Sequence, residues 1–419
     1  MNIFSKKFKF IKKKLFPFYK SKELNLFFDI LEEDKTKEQK VAMFVGGCVR
    51  KYLNEYKVDD IDIATIFTPE EIKDKFKKTK EVRVIETGVE HGTLTLLIKD
   101  LKLEITTLRK DISTDGRHAE VAFTNDWRED SERRDFTINA IYMDRKGEIF
   151  DPQSGVKDLK NKIIKFIGDP HKRIEEDYLR IIRFIRFNLQ YDSKIEQSTL
   201  DAIKLNLNGI KNLSKERVLQ ELLKILNLQN FIEINNRKDL KDIFSLVFPE
   251  FKYLNRLNKF YILKEQFKIN IDFILAILLI DETNNHEYFC HKYKTSNVVK
   301  NKLELLSKCL IDKNKDKEYF SKNLKKNTYY MGKSTLFELN ALSFLIDEKI
   351  TLQKYTKIKQ SLEKISIPKF PYDGKYLIKQ GLSEGKKIGY VLEKLESMWI
   401  QNNCVLSEQS VVETIKKAK

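Results

Sequence analysis

The sequence predicts an α+β protein: a small mixed β-sheet head followed by an all-α remainder. Three observations carry this. Short apolar runs bounded by turn residues recur up to about residue 160, they stop beyond Asp151-Pro152, and from Ile174 onward Leu, Ile, Phe and Lys recur at helical spacing. A chain of 419 residues exceeds one ordinary domain, and the pattern divides it into 1–160, 161–228 and 229–419.

Taken in order, the opening "MNIFSKKFKFIKKKLFPFYK" is basic and aromatic and has no small-residue cleavage site. It reads as a solvated lead-in or a surface- or RNA-contacting segment. Lys22 to Glu33 is an amphipathic helix leading into a buried strand at Val41 to Val45. Gly46-Gly47 then supplies a sharp turn, and Cys48 to Tyr56 is helical. Asp60 to Ala64 is a second strand. Further strands are expected at Val82 to Glu86, Thr93 to Ile98, Leu101 to Leu108, Val121 to Phe123, Ile141 to Met143 and Glu148 to Phe150. The turn-rich segment around Asp115, Gly116 and Arg117 reads as a loop with room to move.

A net charge of +17 and a pI near 9.3 point to a polyanionic partner, nucleic acid before a membrane surface, with a Lys-rich composition as the plain alternative. Cys48, Cys290, Cys309 and Cys404 are scattered without CxxC spacing, which argues for a reducing, cytoplasmic setting and against a zinc site or disulfide framework. The longest strongly apolar run, Phe273 to Ile280, is too short to span a bilayer, so no membrane role is expected.

The chemistry begins at "FVGGCVRKYLNEYKVDDIDIAT". A glycine turn opening a helix suits a phosphate, and Arg50 lies near that helix start. Asp60 and Asp62, two apart on a strand, point to one face, and converging carboxylates call for a cation. Hard oxygen ligands beside a phosphate turn suggest magnesium and two-metal phosphoryl transfer. Either motif alone is also an ordinary turn or a solvated strand edge. Glu104, among alternating apolar residues in "LKLEITTLRKD", is either a third acid or an edge-strand carboxylate.

In "ERRDFTINAIY" Arg133 and Arg134 offer forked donors for a triphosphate, and Asp135 and Asn139 can bond ribose hydroxyls; the plain alternative is an ion-paired helix face. In "EEDYLRIIRFIRF" Asp177, Arg180, Arg183 and Arg186 recur every three residues amid apolar surface. A carboxylate that accepts and a guanidinium that donates match the edge shared by cytosine and adenine. Uracil and guanine present the reverse order, so Asp177 with Arg180 could admit C and A without a template, at roughly 1–3 kcal/mol per base.

With these residues in view the chain resembles the class II tRNA nucleotidyltransferases, the CCA-adding enzymes, whose relatives include the bacterial poly(A) polymerases. The resemblance runs in order through "FVGGCVR", "DIDIAT", "LEITTLR", "DGRHAEVAF", "RRDFTINAIY", "DPQSGVKDLKNK", "EEDYLRIIRFIRF" and "LSKERVLQELLKIL", and the C-terminal "FPYDGKYLIKQGLSEGKKIGYVLEKLESMWI" looks like a CCA-adding tail. It implies a nucleotidyltransferase-type head, a helical neck that recognises the base, and a helical body and tail that grip tRNA. It further implies that Gly47, Arg50 and Arg134 contact the nucleotide, that Asp60 and Asp62 bind Mg2+, and that Asp177, Arg180, Arg183 and Arg186 complete the nucleotide site. The substrates implied are CTP, ATP and the tRNA 3′ end; no protein partner is inferred. One position departs: the family usually has Asp after the arginine of its glycine motif, and here Lys51 stands. Poly(A) polymerase activity, and a non-catalytic RNA-binding relative suggested by Lys51, are the alternatives.

Overall fold

The computed structural model describes residues 17–36, 39–114, 119–267, 270–402 and 404–418. The basic lead-in before residue 17 and the Asp115-Gly116-Arg117 turn lie outside the described residues. The chain forms two compact units, one of Met1–Phe231 with Lys238–Val247 and one of Ile232–Arg237 with Phe248–Lys419. The segments expected as head and neck both fall in the first.

The first unit is built on a seven-stranded sheet in the order β3-β4-β5-β2-β1-β8-β9. Its strands are β1 (Ala42–Val45), β2 (Ile61–Thr65), β3 (Val82–Gly88), β4 (Thr93–Ile98), β5 (Leu101–Thr107), β8 (Tyr142–Met143) and β9 (Ile149–Phe150). Only β2 and β5 pair in parallel; the other ladders are antiparallel, which gives the mixed sheet the sequence predicted. β1 is buried at all four positions, matching its unbroken apolar run. β5 alternates instead, burying Leu103, Ile105 and Thr107 and turning Lys102 and Glu104 to the other face.

A separate two-stranded ribbon joins β6 (Arg109–Thr114) and β7 (Ala119–Phe123). The sequence reading missed β6. "RKDIST" has no continuous apolar face to reveal a strand, and among the described residues it pairs with β7, apart from the main sheet. The helix expected over Cys48 to Tyr56 is shorter, Gly47–Leu53: Glu55 turns into the left-handed region at φ 61°, and the Tyr56 amide donates back to the Lys51 carbonyl at 2.7 Å. Asp60 lies one residue before β2 rather than within it, since the ladder to β5 begins at Ile61.

Local chemistry sets the surrounding helices. Lys22–Leu31 starts where the Ser21 hydroxyl accepts from Leu24 N, and Pro69–Phe76 starts at a Thr68/Glu71 capping box with proline in its first turn. Asp169 and Ser214 cap Pro170–Glu176 and Lys215–Leu226 in the same way. Leu179–Tyr191 packs its Phe184 and Phe187 with Phe136 and Phe166, ring centroids 4.7–6.3 Å apart, which ties the helix to the segment that follows Arg134. Gly155 allows its helix to close on the Thr137–Asn139 turn, where an added Cβ would strike the Thr137 carbonyl oxygen.

The regular elements described in the second unit are all helices. Ile271–Leu279 is buried from Phe273 to Leu279, so the apolar run of the sequence is a core helix; no described helix is long and apolar enough to cross a membrane. Farther on, Leu377, Leu382, Val391, Leu395, Val411 and Ile415 form a cluster that joins the last three helices.

Candidate active site

The site gathers where β1 and β2 lie side by side. Gly46, at φ +67°, turns the chain out of β1 into the Gly47–Leu53 helix, a conformation that side chains resist. Gly47 faces the next strand closely: a Cβ placed there would sit 3.6 Å from Asp62 Oδ2. Asp62 pairs in register with Glu104 across the parallel β2–β5 ladder. Turn, first acid and second acid thus meet through backbone pairing alone.

The electrostatics single out Asp62. Burial pushes its carboxyl up, the Glu104 charge adds to this and Asp60 does so more weakly, while Arg50 and Arg134 pull it back. No hydrogen bond or ion pair reaches its carboxylate from the described residues. Asp60 is far more open, its side chain 89% exposed, with Lys51 Nζ 3.7 Å from Oδ2. Among the described residues no group of three or more His, Cys, Asp or Glu forms a metal cage. Two carboxylates, one of them half-buried with no hydrogen-bond or ion-pair partner among the described residues, nevertheless suit a cation that keeps most of its ligands as water and substrate phosphate.

Arg50 is held rigidly from three sides. Its Nε donates to the Tyr191 hydroxyl at 3.1 Å, one terminal nitrogen donates to Asn139 Oδ1 and at 3.5 Å to the Ile138 carbonyl, and the guanidinium lies 5.1 Å from the Phe187 ring centroid. Asn139 Nδ2 in turn donates to Asp135 Oδ1 at 2.6 Å, and Asp135 Oδ2 accepts from Arg183 Nε at 2.7 Å. Glu221 continues the line, 3.8 Å from Arg183 and 2.7 Å from Arg186. Burial would raise Asp135; the Arg183 charge and the Asn139 bond outweigh it, and its carboxyl is pulled down to about 2.

Arg134 is anchored by Asp130, a fully buried residue that sequence reasoning overlooked. Asp130 Oδ2 accepts from Arg134 at 3.0 Å and from the Tyr142 hydroxyl at 2.7 Å, and Oδ1 accepts from Arg133 Nε at 2.8 Å. Burial acts to raise this carboxyl, but the two arginine charges hold it well below the ordinary range. Its spacing, three and four residues before an Arg-Arg pair that closes the short Trp127–Glu132 helix, was the available signal.

The side chains of Asp177 and Arg180, the pair expected to read a base edge together, do not bond each other; the Arg180 amide donates to the Asp177 carbonyl at 3.0 Å. Asp177 Oδ2 accepts from Arg217 at 2.7 Å and Oδ1 from the Leu179 amide at 3.1 Å. Arg180 donates to Glu176 at 2.5 Å and to the Arg173 carbonyl at 2.6 Å. Asp177 precedes the helix in extended backbone, which separates it from the i,i+3 row that Arg180, Arg183 and Arg186 share. Glu176, Arg217 and Glu221 were the partners not foreseen, and only Glu176 adjoins a residue the sequence reading chose.

Comparison with known proteins shows similarity along nearly the whole chain. Residues 42–165 match the Poly A polymerase head domain, 193–254 the RNA and SrmB-binding site of polymerase A, and 266–415 tRNA nucleotidyltransferase domain 2. The chain is 33% identical over 395 residues to a Danio rerio CCA tRNA nucleotidyltransferase 1, mitochondrial, covering 93% of this chain and 90% of the relative. It is 30% identical over 386 residues to a Lactobacillus helveticus CCA-adding enzyme, covering 88% and 91%. The fold is similar to a Bacillus stearothermophilus CCA-adding enzyme solved in complex with CTP, with a TM-score of 0.71 at 23% identity over 95% of this chain and 98% of that one. Nucleotidyltransferases of this kind are generally metal-dependent. By sequence along nearly its whole length, the chain belongs to the family of CCA tRNA nucleotidyltransferases.

Proposed function

We propose that the protein adds C, C and A to the 3′ end of tRNA without a nucleic-acid template, using CTP and ATP and releasing pyrophosphate. The observation that carries this reading is Asp62: a half-buried carboxylate whose ionised form is disfavoured, set against Gly47 of a phosphate-type turn and in register with Glu104. The reacting 3′-hydroxyl attacks the α-phosphate, and the bond to the β,γ-diphosphate breaks. Mg2+ held by Asp60 and Asp62, with Glu104 alongside, would lower the pKa of that hydroxyl and offset charge on the leaving oxygen. Arg50 and Arg134 place two fixed positive charges beside Asp62, where triphosphate oxygens would lie. Because Asn139, Tyr191 and Asp130 already orient them, little reorganisation accompanies the reaction.

Asp177 is our choice for the acceptor that reads the base amino group. An ionised carboxylate has about four acceptor positions, so it can hold Arg217 and still accept from a base. Arg180, fixed by Glu176, supplies the donor beside it, and Asp135, Asn139, Arg183 and Arg186 form the frame that sets this helix against the acid site. In this reading residues 1–160 act as catalytic head, 161–228 as neck and 229–419 as tRNA-binding body and tail. A cytoplasmic, reducing setting accords with four cysteines that are all free and buried.

The test is a tRNA lacking its terminal CCA, incubated with protein, Mg2+, CTP and ATP. Growth that stops after three nucleotides supports the reading; long tails from ATP alone would make the protein a poly(A) polymerase, and tRNA binding without turnover would make it a non-catalytic relative. The match of residues 266–415 to tRNA nucleotidyltransferase domain 2 favours the first outcome.

A further inference from the structure

Two lysines stand against the outer acids of the site. Lys51, on the Gly47–Leu53 helix, donates to Asp59 and lies 3.7 Å from Asp60 Oδ2. Lys102 lies two residues before Glu104 on β5, so both side chains share a face, and its Nζ donates to Glu104 Oε1 at 2.8 Å. Asp62, between them, has no such partner among the described residues. The site therefore carries an ammonium on each flank and, in the middle, a carboxylate with no direct ion-pair partner among the described residues.

We propose that Lys51 and Lys102 are resident counter-cations that hold Asp60 and Glu104 against a bare divalent cation and release them to one that arrives on a triphosphate. This rests on the reading of Asp60, Asp62 and Glu104 as the metal site. Lysine remains charged at neutral pH, and a divalent cation among these oxygens meets two positive groups a few ångströms away. In an exposed site that repulsion weakens cation binding by about three- to tenfold per lysine. A triphosphate reverses the balance. Its oxygens offer both ammonium groups a better acceptor, and lysine, a mobile point charge on a flexible stem, can swing from carboxylate to phosphate. Lys51 and Lys102 would thereby make the site take cation and nucleotide together.

The experiment measures Mn2+ binding to the full-length chain by electron paramagnetic resonance, with and without a CTP analogue whose α–β bridge cannot be cleaved. Without the analogue, the Lys51→Ala/Lys102→Ala protein should bind Mn2+ about tenfold or more tightly than wild type. The Lys51→Arg/Lys102→Arg protein, which keeps the charges, should stay near wild type, and the analogue should narrow the difference between the alanine protein and wild type. Equal Mn2+ affinity in the alanine and wild-type proteins, or a difference that the analogue leaves unchanged, overturns the proposal. Adding Asp62→Asn to the alanine protein separates the two levels of argument. If the extra Mn2+ binding survives that change, the cation sits elsewhere and the metal-site reading fails; if it disappears, the lysine result stands on the intended site.

Discussion

Arg183 donates its Nε to Asp135 Oδ2 at 2.7 Å, joining residues 48 positions apart and locking the Leu179–Tyr191 helix to the segment that carries Arg134. The pair is mostly buried, and the Asp135 carboxyl, pulled down to about 2, is the depressed partner. A depressed acid stabilises the fold fully above its ordinary value of 3.8, and that contribution is lost as pH falls through about 2. Asp135→Asn should therefore cost about 3–5 kcal/mol at neutral pH, because Arg183 is left without its counter-charge. Urea denaturation should show the gap between variant and wild type closing as pH drops from about 4 toward 2.

Asp62 has the opposite sign. Its raised pKa means that the folded state prefers the protonated acid, so this contribution to stability is present below the ordinary 3.8 and lost as pH rises through the folded value. Ionised Asp62 is a net cost at neutral pH. Asp62→Asn should leave the thermal midpoint equal to or above wild type at neutral pH, with any advantage shrinking toward pH 3.8. Incorporation should fall by about 10³-fold or more. A variant both less stable and fully active would contradict the assignment.

Asp177→Ala should relax nucleotide choice. Removing the acceptor should reduce discrimination of CTP and ATP against UTP and GTP by about 1–3 kcal/mol, read from single-nucleotide incorporation at matched concentrations. Unchanged selectivity would transfer base reading to other side chains.

Asp130→Asn probes the anchor of the two arginines. It leaves Arg133, Arg134 and the Tyr142 hydroxyl around a neutral amide, and should destabilise the fold by about 3–5 kcal/mol. Where the variant remains folded, Arg134 loses its fixed direction, so kcat/KM for both CTP and ATP should fall together. A loss confined to one nucleotide would place Asp130 in base recognition instead.

Binding of tRNA should weaken steeply with salt. If the basic surface reads the RNA backbone, log affinity should fall linearly with log salt, by about 0.7 to 0.9 for each phosphate neutralised. Fluorescence titration over a salt series gives the slope directly, and a flat line would remove the electrostatic account of tRNA binding.

The sequence by itself determined most of the elements and which candidate side chains each one carries. Four apolar residues in a row make β1 a buried strand, Gly46 dictates the turn after it, alternation in β5 exposes Glu104, and three-residue spacing puts Arg180, Arg183 and Arg186 along one helix. All of this is local, set by backbone sterics and the period of the side chains. Partners across the chain were decided by the tertiary structure alone. The parallel ladder sets Asp62 beside Glu104, packing of Phe136 against Phe166 and Phe187 brings Asp135 to Arg183, and the Lys215–Leu226 helix delivers Arg217 to Asp177. The physical reason is that an ion pair depends on distance in space, and spacing in the sequence constrains that distance only within a single element.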